Sequence, residues 1–124
     1  MAEPTYKGVP LEELVINAIT WSQEATEHIQ TRSSRQPGAR NVQPEWATQA
    51  ALSSDRIVRL AKAKSDETAS LKIIGISSST PGGPSVLKVW VWSDDPKQDV
   101  WNGGSAAYAS ASDLKLYEKG GRNE

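Results

Sequence analysis

The stretch from Arg56 to Trp92 most constrains the fold of this chain. It holds three runs rich in β-branched and aromatic residues, "RIVRLAK", "SLKIIGISSS" and "VLKVWVW". Only "KSDETA" and "STPGGPS" separate them. A parallel connection needs a crossover of about a dozen residues or more, usually a helix. Joints this short, one of them built from Pro and Gly, predict hairpins and an antiparallel sheet. In the last run, alternation sets Leu87, Val89 and Val91 on one face and Lys88, Trp90 and Trp92 on the other. Lys72, with Ile74 and Ile76, extends the second face by one strand.

The elements around this sheet follow from local signals. "LVINAITW" predicts a strand with Leu14, Ile16 and Ala18 on one face and Val15, Ile19 and Trp21 on the other. Ser22 is an N-cap for a helix over "QEATEHIQTR", with Ala25, Thr26 and Ile29 as its apolar stripe. Pro37 and Gly38 end that segment. A second helix is expected over "PEWATQAAL", with Pro44 at its first position and Val42 packed at its start. Ser110 and Asp113 have the spacing of a capping box ahead of a short C-terminal helix, with Gly120 or Gly121 closing it. Trp101 is expected to close the last strand and Gly103-Gly104 to bend the chain. The order predicts one α+β domain over residues 1–124: a four-stranded antiparallel sheet, two helices in the N-terminal half and one C-terminal helix. Pro4, Gly8 and Pro10 make residues 1–12 a flexible arm.

Composition removes several kinds of chemistry. The 124 residues contain no cysteine, hence no disulfide, thiolate nucleophile or Cys-ligated zinc, and a single histidine excludes a multi-His metal site. A formal net charge of −1 gives no global attraction to nucleic acid or to an anionic membrane, so such binding needs a local basic patch. No apolar run has the ~18 residues of a spanning helix, and the first ten residues lack the order of a signal peptide; a cytoplasmic protein without membrane association is expected.

Three groups of residues are candidates for function. His28, the one side chain that exchanges protons near neutral pH, shares a helix face with Glu24 and Arg32, and is either an acid–base group or an ordinary surface residue. Arg32, Arg35 and Arg40 bracket the loop after that helix and suit phosphate contacts, as they would suit a solvated loop. Lys72, Lys88, Trp90 and Trp92 form a face able to stack bases, hold a partner helix, cover a small-molecule pocket or pack beneath the C-terminal helix. "STPGGPS" lacks the Lys-Ser/Thr of a phosphate loop and reads as a turn, and "SDDPKQD" lacks a metal-ligand spacing and reads as a solvated hairpin end.

The tail resembles the BrnT-type toxins of type II toxin–antitoxin modules, small ribonucleases related in fold to RelE and ParE. Ser105-Ala106, Ala109-Ser110, Asp113, Lys115 and Tyr117-Glu118 fall on matching or similar positions of the family's C-terminal stretch. Upstream, "ITWSQEATEHI" is similar to its opening strand-to-helix unit and "IIGISSSTPGGPSVLKVWVW" to its hairpin. The resemblance implies a RelE-like fold and a metal-independent, cofactor-free endoribonuclease held in check by an antitoxin. Its catalytic groups would be His28, Lys72 and Lys88, with Arg32, Arg35, Trp90, Trp92, Asn102 and Tyr108 contacting RNA or the partner. The chain departs from the family where two arginines are expected, with Asn102 and Ala107 in their place. Neither supplies the guanidinium that would neutralise phosphate charge. The alternative reading is therefore the same fold, catalytically inactive, used as a protein-binding module.

Overall fold

A computed structural model describes residues 5–61 and 70–120. Its chain order is β1 (Thr5–Tyr6), β2 (Val9–Pro10), β3 (Ala18–Thr20), α1 (Gln23–Gln30), α2 (Pro44–Ala51), β4 (Ile57–Leu60), β5 (Leu71–Ser77), β6 (Ser85–Trp92), β7 (Val100–Tyr108) and α3 (Ala111–Glu118). The fold is α+β. Its main sheet has five strands rather than four, in the order β3-β7-β6-β5-β4, and it is mixed: β3 runs parallel to β7 while the other pairs are antiparallel.

The expected hairpin from β5 to β6 forms around Thr80–Pro84, with Ile73 opposite Val89 and Lys72 opposite Trp90. β4 and β5 also pair antiparallel, although the joint "KSDETA" lies outside the described residues. Leu71, Ile73, Leu87, Val89 and Val91 are fully buried on the face that receives the helices. Each such side chain contributes about 1.5–3 kcal/mol by leaving water. α2 lies on this face through Ala47, Ala50 and Ala51. It approaches closely because β5 carries Gly75, where an added Cβ would stand 2.0 Å from the Ala50 carbonyl oxygen. α1 is capped by the Ser22 hydroxyl, which accepts from the Ala25 N–H at 3.0 Å, and it buries Ile29.

Three expectations need correction. The missed strand is β7, whose "WNGGSAAY" has too many small residues to read as a strand on its own. Its reason to be one is tertiary. The Trp21 ring lies where a Cβ on Gly103 would be, 2.6 Å away, and Gly104 is the extra residue of a bulge opposite Trp90 and Val91. The expected bend is thus a bulge within a continuing strand.

The second correction concerns the arm. From Thr5 the chain forms the small β1–β2 ladder, and Tyr6 is only 1% exposed. Its ring meets Trp101 at 5.2 Å, and its hydroxyl donates to the Ser93 carbonyl at 3.2 Å and accepts from the Ser93 N–H at 3.1 Å. The third concerns the first long strand, which shrinks to residues 18–20. Without a continuous ladder the two-residue period fails: Ile16 and Ile19 are both buried while Val15 is half-exposed.

α3 begins with the expected capping box and lies against β5 on the sheet face opposite α2. No helix among the described residues is long and apolar enough to cross a membrane.

Candidate functional site

β3 pairs only with residues 100–102 of β7. Beyond Asn102 that edge of β7 carries no strand among the described residues, and a side chain meets it instead: Arg32 Nη1 donates to the Ala106 carbonyl at 3.4 Å and to Ser105 Oγ at 3.5 Å. α1 ends at Gln30 and runs into a 3-10 turn at Arg32–Ser34, so His28, Arg32 and Arg35 follow one another along this edge. The result is a groove of three adjoining cavities between the α1 region and strands β6 and β7.

The middle cavity, about 580 Å³, is lined by His28, Arg32, Arg35, Gln36, Trp90 and Ser105. The next, about 260 Å³, shares Arg32 and adds Arg40, Lys88, Ala107 and Tyr108. At the other end a cavity of about 350 Å³ shares His28 and adds Glu24, Trp92 and Asn102. Eight of the nine residues expected from the sequence therefore line these three adjoining cavities. The ninth, Lys72, lies on the far side of Trp90.

The cations are held in two ways. Among the described residues, Arg32, Arg35 and Arg40 meet no carboxylate within ion-pair distance. Neutral groups orient them instead. Arg35 donates to Thr31 Oγ1 at 3.1 Å and to the His28 carbonyl, and the Arg40 guanidinium lies 3.7 Å from the centre of the Tyr108 ring. Their full charge stays available to an anion.

Lys72 and Lys88 share one acid. Lys72 Nζ is 2.7 Å from Asp113 Oδ1 and Lys88 Nζ 3.5 Å from Oδ2, and the two ammoniums stand 5.9 and 5.5 Å from the Trp90 ring. Asp113 is 5% exposed and also completes the α3 cap, its Oδ2 accepting from the Ser110 N–H at 2.9 Å and the Ser110 hydroxyl at 2.8 Å. Burial pushes this carboxyl up. The hydrogen bonds from Lys72 and Ser110, with the Lys72 charge, outweigh that and hold it well below the usual carboxylate range.

His28 is shifted down, by burial first and then by the charges of Arg35 and Arg32, against an opposing effect of Glu24. The shift favours the neutral imidazole, the form that accepts a proton. Asn102 is fixed by its neighbours: its Oδ1 accepts from Thr20 Oγ1 at 3.3 Å and its Nδ2 donates to the Trp92 carbonyl at 3.4 Å. Gln36, Ser105 and Glu24 are among the lining residues that the expected site set lacks. The i to i+4 spacing of Glu24 and His28 was the available signal for the last. Among the described residues no cluster of three His, Asp or Glu side chains is placed to hold a metal ion.

No family model matches the chain, and neither a curated protein nor a solved structure matches it.

Proposed function

We propose that this protein is a BrnT-like toxin homologue that engages single-stranded RNA along the β7 groove. The observation that carries this reading is the convergence of Arg32, Arg35 and Arg40, none with a carboxylate partner among the described residues, on a groove that also presents Trp90 and Tyr108. Guanidiniums bind phosphate oxygens in bidentate fashion, and aromatic rings stack bases without regard to sequence. A chain of net charge −1 that gathers three arginines at one edge has the local patch that nucleic-acid binding requires of it.

Cleavage on this frame needs no metal. His28, neutral and in the middle of the groove, takes the proton of a ribose 2′-hydroxyl as its oxygen attacks the adjacent phosphorus. The bond from phosphorus to the 5′-oxygen breaks, water protonates that oxygen, and Arg32 or Arg35 neutralises the phosphoryl charge. Lys72 and Lys88 drop out of the catalytic set, because the Asp113 carboxylate already occupies them. With one positioned base and no positioned acid, turnover is expected to be slow.

The second reading, an inactive toxin-like fold that binds a protein, has that same Asp113 contact in its favour, since the two lysines serve structure instead of chemistry. The test is incubation of labelled single-stranded RNA in EDTA with the wild type and His28→Ala. The RNA-cleaving reading expects a slow cut that His28→Ala slows at least about a hundredfold. Retained complex with intact RNA leaves a binding protein only. Absence of any complex at low salt overturns the RNA reading.

A further inference from the structure

The groove is not uniform in charge. Of the side chains that line its three cavities only Glu24 is acidic, and it sits in the end cavity with Trp92 and Asn102. Resting on the RNA reading above, we propose that this end cavity is a base-specific pocket and that the base it selects is guanine.

A carboxylate only accepts hydrogen bonds and repels phosphate, so the backbone of a bound strand stays with Arg32 and Arg35 while a base turns toward Glu24. The two cavities share His28, which makes them adjacent positions along one strand. Among the RNA bases, guanine alone offers two neighbouring N–H donors on its Watson–Crick edge, N1–H and the exocyclic N2–H, matched to the two oxygens of a carboxylate. Adenine and cytosine each set a ring acceptor beside their amino group, and uracil has one N–H between two carbonyls; each would aim a lone pair at Glu24.

The rest of the pocket is consistent with this choice. The Trp92 indole is 42% exposed and presents a face for stacking. Asn102 is held by Thr20 and by the Trp92 carbonyl, which uses one of its two amide hydrogens and leaves the other for an acceptor such as guanine O6. Gly104, where an added Cβ would lie 3.6 Å from Trp92 Cδ1, leaves the backbone open on the remaining side. A basic peptide would also suit a carboxylate beside an indole, but the neighbouring arginines repel one.

Direct binding of short oligouridylates carrying one central guanosine, inosine, adenosine or cytidine tests the proposal, read by tryptophan fluorescence. The guanosine oligomer is expected to bind about ten- to a hundredfold more tightly than the adenosine one. Inosine, which lacks the exocyclic amine, should fall between them. Glu24→Gln should bring the guanosine-to-adenosine ratio close to one. Equal affinities in the wild type, or a guanosine preference that survives Glu24→Gln, would overturn the base assignment while leaving the groove reading in place. Failure of every oligomer to bind, or binding indifferent to Arg32→Ala with Arg35→Ala, would instead remove the groove reading on which it rests.

Discussion

The two cationic clusters around β6 and β7 are built from similar charge and used differently. In the arginine cluster three guanidiniums are held by two carbonyls, hydroxyls and a phenol ring, all neutral, so orientation is gained without loss of charge. At the lysine cluster two ammoniums converge on one buried carboxylate, which offsets one of their two charges. That carboxylate fastens α3 to the outer face of the sheet and caps the helix it belongs to. Cations on a surface are therefore not equivalent as ligand sites. What matters is whether the groups that fix them have already answered their charge.

Asp113→Asn is the largest single perturbation of this contrast. It leaves Lys72 without its ion pair and weakens the cap, at an expected cost of about 1–3 kcal/mol in urea unfolding. The same substitution releases two ammoniums beside Trp90 and should raise affinity for single-stranded RNA several-fold. A loss of stability without that gain would mean that the lysine cluster lies outside the binding surface.

Acid titration examines the same pair by another route. Because the Asp113 carboxyl is depressed in the folded protein, its contribution is fully present above the ordinary carboxylate value of about 4. It is lost as pH falls below that value toward the folded one. Asp113→Asn should flatten this acid limb of the stability profile.

A smaller effect is expected at the arginine cluster. His28 is shifted down from its ordinary value of 6.5, so it gains charge only as pH falls below that value. Its new charge faces Arg32 and Arg35, with Glu24 acting against them. RNA affinity should rise a few-fold from pH 7 to pH 5.5, and His28→Ala should remove the rise.

Much of the scaffold was legible because it rests on local rules. The alternation in β6, the Pro-Gly turn before it, the Ser22 cap, Pro44 at the start of α2 and the Ser110–Asp113 box all appear as their residues dictate. β7 was not legible, since its glycines oppose strand formation until Trp21 fills the space above Gly103 and β6 supplies the ladder. Tyr6 is a similar case: its burial depends on Trp101 and Ser93, far along the chain.

The site inherits the same division. Lys72, Lys88 and Trp90 were placed on one face by alternation, and the face is real. Their pairing with Asp113 is hidden, because the sequence marks that residue as a helix cap and gives no sign that the cap reaches across to the sheet. The meeting of His28, Arg32 and Arg35 with Trp90 depends on β7 lying between them with an uncovered edge.

The most direct test is the salt dependence of binding between the wild type and a short single-stranded RNA, set against Arg32→Ala with Arg35→Ala. Three arginines on phosphate predict that log affinity falls with log salt at a slope of about −2, and that the double substitution reduces the slope to about −0.7. A slope near zero in the wild type, or one unchanged by removing both arginines, would contradict the account.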